Sequence, residues 1–120
     1  MKTNQRSTET DPVVKEAMAY IESHSEEKFS LQAISGALFI NGSYLLRRFK
    51  EQTGMTLLAY HNKTRCDKAK VLLANESMTI SEVGEAVGFV SSSHFAHIFK
   101  KTVGMTPTAY KSLIREREEA

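Results

Sequence analysis

Apolar residues recur along this chain at spacings of three and four, the period that lines one face of an α-helix. Val14, Ala17, Met18 and Ile21 make such a stripe within residues 13–25, with His24 near its end. Leu31, Ile34 and Leu38 make a shorter one behind Ser30, whose hydroxyl can cap a helix start. Leu45 and Phe49, followed by Gln52 or Thr53, predict a third helix over residues 43–53, closed by Gly54. Behind Thr56 a longer stripe of Leu57, Tyr60, Thr64, Ala69, Leu72 and Leu73 predicts a fourth helix reaching Asn75. Thr79 with Glu82 three residues on forms a capping box for a fifth helix through Val87. Gly88 turns the chain, and Ser91 caps a sixth helix over residues 92–103, closed by Gly104, with Phe95, Ile98 and Phe99 inward. Thr106 and Pro107 open a seventh. With no run of strand-like alternation beside these stripes, the expected fold is all-α with about seven helices.

The helices come as a repeat. At an offset of 50, nine of the 22 positions from Phe39 to Tyr60 are identical to their counterparts: Phe39/Phe89, Ser43/Ser93, Phe49/Phe99, Lys50/Lys100, Gly54/Gly104, Met55/Met105, Thr56/Thr106, Ala59/Ala109 and Tyr60/Tyr110. Upstream the offset is 49, pairing Ile34 with Val83, so the second copy holds one extra residue in its turn. Periodicity puts Phe39, Phe49, Phe89, Phe99, Tyr60 and Tyr110 in the core, together with Met55 and Met105. Each copy is a short helix, a turn and a second helix, which is the anatomy of a helix-turn-helix unit. The expected organisation is a disordered arm at 1–11, a first subdomain at 12–55, a linker helix at 56–75, a second subdomain at 76–114 and a charged tail at 115–120. On the pattern alone, a duplicated helical hairpin that packs, or docks on another protein, stands beside the nucleic-acid reading.

Charge favours the second of these. Net charge is only +2, but residues 43–70 carry seven Lys/Arg against two Asp/Glu, so the positive charge gathers around the first copy. The 120 residues hold no apolar run near the ~20 that a membrane span needs, and the N-terminus lacks the apolar segment of a secretion signal. A single cysteine, Cys66, allows no intrachain disulfide and reads as apolar filler on the long helix. The expected location is the cytoplasm, with no membrane partner. Catalysis has no foothold in a glycine-rich phosphate loop, a metal constellation or paired carboxylates, so a non-enzyme without a cofactor is expected. His94 and His97 have the spacing of a ligand pair, but no third or fourth ligand stands at a usable distance in sequence.

The faces opposite the core stripes carry the candidate chemistry. In the third helix that face is Ser43, Leu46, Arg47 and Lys50; in the sixth it is Ser93, Ala96, His97 and Lys100. Small residues near the helix start and basic or hydrogen-bonding ones further on suit a helix laid in a DNA major groove. Arg47 can pair bidentately with a guanine, and Leu46 suits either a thymine methyl or packing against a neighbouring helix. Arg48, Lys50, Lys100 and Lys101 are expected at phosphates. Lys63, Arg65, Lys68 and Lys70 of the linker helix are expected to be solvated more than to touch phosphates. That helix would be ~28 Å long at ~1.5 Å per residue, close to the ~34–36 Å between successive major-groove faces. One chain could therefore fill two adjacent grooves as a monomer.

The segments "ISGALFINGSYLLRRFKEQTGMT" and "MTISEVGEAVGFVSSSHFAHIFKKTVGMTPTAYK" resemble the double helix-turn-helix domain of the AraC/XylS family of bacterial transcription regulators, over residues 13–114. The resemblance implies a regulator, expected to be an activator, that binds double-stranded promoter DNA in consecutive major grooves and helps recruit RNA polymerase. It implies base reading by Ser43, Leu46 and Arg47 in the first copy and by Ser92, Ser93, His94 and His97 in the second. His97 departs from the family pattern, which usually has arginine there. Histidine titrates near neutrality, so binding through it is expected to strengthen as pH falls.

Overall fold

The computed structural model describes residues 11–119. Seven helices fill the described residues, with no strand: α1 (Pro12–Ser23), α2 (Leu31–Leu38), α3 (Gly42–Thr53), α4 (Leu57–Leu73), α5 (Ile80–Ala86), α6 (Ser92–Val103) and α7 (Pro107–Glu119). The chain divides into two units, one of residues 11–24 and Phe29–His61, the other of Ser25–Lys28 with the residues from Asn62 on. The arm expected at 1–11 lies outside the described residues except for Asp11, which is the N-cap of α1. The charged segment from residue 115 continues α7 as helix up to Glu119.

In the first unit α1 packs on α2 and α3, and α2 packs on α3. Val14, Ala17, Ile21, Ile34, Leu45, Phe49 and Leu57 are buried between them. Removing a ring such as that of Phe49, which is fully enclosed, would cost about 3–5 kcal/mol. Capping follows residue chemistry: the Ala33 N–H donates to Ser30 Oγ at 3.0 Å, Tyr44 N–H to Asn41 Oδ1 at 3.0 Å, and Ala59 N–H to Thr56 Oγ1 at 3.0 Å.

The second unit repeats this with different side chains. Cys66, Ala69, Leu73, Val83, Val87, Phe89, Phe95 and Phe99 form its core, with α6 packed on α5 and on α7. The capping box is present in both directions, Thr79 N–H donating to Glu82 Oε1 at 2.8 Å and Glu82 N–H to Thr79 Oγ1 at 3.0 Å. Ser91 and Thr106 accept from the His94 and Ala109 amides. Burial pushes the Cys66 thiol up from its ordinary value, as filler in an apolar site should be.

The repeated aromatic residues make the same contact twice. Phe49 meets Tyr60 edge to face at 5.6 Å, and Phe99 meets Tyr110 at 5.8 Å. The second helix of each copy ends on a left-handed glycine, Gly54 at φ 80° and Gly104 at φ 99°.

Phe39 is a correction. It is 93% exposed rather than buried, whereas Phe89 is in the core. The two are not equivalent positions. Phe39 N–H donates to Gly36 O and Ile40 N–H to Ser35 O; the matching bonds are Gly88 N–H to Glu85 O and Phe89 N–H to Gly84 O, all at offset 49. Phe39 thus corresponds to Gly88 and Ile40 to Phe89, and the extra residue of the second copy is Val90, 96% exposed. Phe39 takes the left-handed backbone at φ 58°, which turns its side chain to solvent.

Candidate nucleic-acid interface

On α3 the buried residues are Leu45 and Phe49, which fixes the opposite face as the outward one. Ser43, Leu46, Arg47 and Lys50 are all exposed on it, with Leu46 at 41%, a large share for an apolar side chain. The packing alternative for Leu46 therefore has little support inside its own unit. The Arg47 guanidinium carbon lies 5.6 Å from the centre of the Tyr44 ring, one turn back on the same helix. Lys50 Nζ donates to the carbonyl of Gly54 at 3.2 Å, holding the ammonium at the negative end of α3.

Arg48, expected at a phosphate, sits elsewhere. Its Nε donates to Asp11 Oδ2 at 3.0 Å, a second guanidinium nitrogen bonds the same oxygen, and Nη1 lies 3.7 Å from Glu51 Oε1. The Asp11 carboxyl is held below its ordinary value first by the Val13 amide and then by this arginine. Arg48 ties the start of α1 to the flank of α3, and its charge is already matched there.

On α6 the buried residues are Phe95 and Phe99, and Ser93, His97, Lys100 and Lys101 are exposed together on the other side. Ser92 and His94 are exposed but lean inward. Ser92 Oγ bonds Ser81 Oγ of α5 at 3.0 Å, and the His94 ring stands edge-on to Phe89 at 5.4 Å. Of the seven residues nominated as base readers, Ser43, Leu46 and Arg47 share one face, Ser93 and His97 share another, and Ser92 and His94 flank the latter.

The linker-helix cations are not plain solvated charges. Arg65 is 7% exposed, with Nε donating to Ser25 O at 2.6 Å, Nη2 to Glu27 O at 2.8 Å, and its guanidinium 5.0 Å from the centre of the Phe89 ring. Lys68 reaches Ser25 Oγ at 2.6 Å, Lys63 pairs with Asp67 at 2.9 Å, and Lys70 lies 5.9 Å over the Tyr110 ring. Solvation is thus the wrong description for Arg65, whose burial also lowers its ordinarily high pKa. Nothing local in the sequence signals this, because its partners lie some forty positions away. Tyr44 was also missed, and here the signal was available: tyrosine and arginine three apart share a helix face.

Known proteins align with these elements. A family model described as a helix-turn-helix domain matches residues 34–112. The xylose operon regulatory protein of Escherichia coli K12 is 34% identical over 107 residues, covering 89% of this chain and 27% of that protein. The arabinose operon regulatory protein of the same strain is 31% identical over 108 residues, covering 89% and 37%. The chain therefore spans well under half the length of these relatives. Among solved structures, the C-terminal domain of AraT, a response regulator from Geobacillus stearothermophilus, superposes with a TM-score of 0.80 at 30% identity, covering 86% of each chain. The DNA-binding domain of AdpA, solved in complex with a target DNA, superposes at 0.79 with 27% identity, covering 90% of this chain and 96% of its own. Sequence motifs, helix order and these alignments agree, and the chain belongs to the AraC/XylS family of transcription regulators, of which it is an all-α, helix-turn-helix DNA-binding domain.

Proposed function

We propose that this domain binds double-stranded promoter DNA sequence-specifically, laying α3 and α6 in adjacent major grooves as a monomer, and that it activates transcription with RNA polymerase as its protein partner in the cytoplasm. The observation that carries the reading is the outward stripe of α3. Ser43, Leu46 and Arg47 stand exposed at the N-terminal half of a helix whose other face is locked in a core, as base reading requires. Ser93 and His97 take the corresponding places on α6, with Ser92 and His94 at its N-terminal edge. Lys50, Lys100 and Lys101 supply phosphate contacts. Arg48 drops out of that set and orients α3 through Asp11 instead. The frame is two subdomains at 12–55 and 76–114 joined by the helix of 56–75. Titration of a promoter duplex at several salt concentrations tests it. Each phosphate contact contributes about −0.9 to the slope of log K against log salt, so the three lysines predict a slope of about −3 or steeper. A flat, weak isotherm would mark a protein-docking module instead.

A further inference from the structure

The Tyr44–Arg47 contact has no counterpart in the second copy, although both copies put a ring at that position. His94, which corresponds to Tyr44, packs edge-on to Phe89 at 5.4 Å and so faces back to its own unit. The residue corresponding to Phe89 is Ile40, which has no ring to offer. The Tyr44 ring, itself 39% exposed, is instead the surface against which the Arg47 guanidinium lies, 5.6 Å from its centre. Among the described residues no carboxylate forms an ion pair with Arg47. Among the described residues its guanidinium keeps its N–H donors for a ligand, while the neighbouring ring limits the directions it can take. A flexible side chain restrained before binding loses less entropy when it binds.

We propose that Tyr44 is a positioning residue for Arg47: its ring beside the guanidinium presets the fork that reads a guanine, and this makes the first copy the more discriminating one. The inference rests on the reading of α3 as a base-reading helix. It is tested with the whole domain and a panel of duplexes varied one base pair at a time, using Arg47→Ala, Tyr44→Phe, Tyr44→Leu and the double variant Tyr44→Leu/Arg47→Ala. Arg47→Ala is measured first and identifies the base pair whose preference relaxes; if none relaxes, the base-reading assignment and the inference fall together. Given that pair, Tyr44→Leu should lower preference there by about two- to fivefold, the size of an exposed cation–π contact, while Tyr44→Phe keeps it. Adding Tyr44→Leu to Arg47→Ala should change that preference no further. The inference alone is overturned if Tyr44→Phe loses as much as Tyr44→Leu, or if the loss is equal on every duplex and the salt slope becomes shallower. The first result would mean that the hydroxyl makes a contact of its own, and the second that Tyr44 supports a phosphate contact rather than base reading. No change in Tyr44→Leu overturns it too.

Discussion

The turn between α2 and α3 and the turn between α5 and α6 close on the same two backbone hydrogen bonds, but one puts Phe39 and the other Gly88 in the left-handed position. A left-handed backbone crowds the Cβ of an L-residue and costs roughly 1–2 kcal/mol; glycine escapes this. Surroundings decide which turn must use it. A Cβ on Gly88 would stand 2.6 Å from Glu26 O and 2.9 Å from Arg65 Nη2, because the Ser25–Lys28 segment is drawn against that turn by Arg65. Phe39 points into open solvent and meets no such wall. The repeat therefore preserves a backbone path, while each turn fills it according to what lies outside.

Placing the first turn's residue in the second, as Gly88→Phe, should break this most severely. Clash and left-handed strain together predict a loss of about 3 kcal/mol or more in urea unfolding. A loss as small as that of an ordinary surface substitution would contradict the account.

Gly84→Ala tests the helix pair beneath. Its Cβ would lie 2.7 Å from Phe95 Cδ2, whereas the first copy has Ser35 and Leu45 at the corresponding positions. Overpacking predicts a loss of about 1–3 kcal/mol, and Phe95→Leu in the same chain should recover part of it. Losses that simply add would show that the small and large residues are not matched.

The reverse exchange, Phe39→Gly, should stabilise the first unit by up to about 1 kcal/mol, strain relief being partly offset by the greater freedom of unfolded glycine. A destabilised variant would show that Phe39 makes a contact in the free domain.

The smallest effect concerns Arg48, whose counterpart in the second copy is the uncharged Ile98. Because the Asp11 carboxyl is held below 3.8, its contribution is whole above that unfolded value and fades as pH falls through the lower folded one. Asp11→Asn keeps a capping acceptor and loses the charge. Its melting temperature should lie below that of wild type near neutrality, and the gap should close as pH falls below 3.8. A constant gap across pH would remove the ion pair from the explanation.

These elements also show what a sequence discloses. Helices and caps were legible because their signals are local: Ser30, Thr79 with Glu82, Ser91 and Thr106 each bond an amide within three residues. The core at Leu45, Phe49, Phe95 and Phe99 followed from period, and so did the outward stripes of α3 and α6. Phe39 is not legible in this way because identity of residue is not equivalence of position, and only the hydrogen bonds show the insertion at Val90. The partners of Arg48 and Arg65 have no local signal, because Asp11, Ser25 and Glu27 are 37 to 40 residues away. Basic side chains on a basic stretch look alike until the fold assigns each a neighbour.

The central claim is that the first copy reads bases through Arg47 while the second, with His97 in the matching place, discriminates less. Binding of wild type, Arg47→Ala and His97→Ala to duplexes selected from a random pool, measured at one fixed salt concentration, tests it directly. Arg47→Ala should cost about 1–3 kcal/mol and relax preference at a single base pair, with a smaller loss for His97→Ala. A loss spread equally over all sequences in Arg47→Ala, or a larger one in His97→Ala, would contradict it.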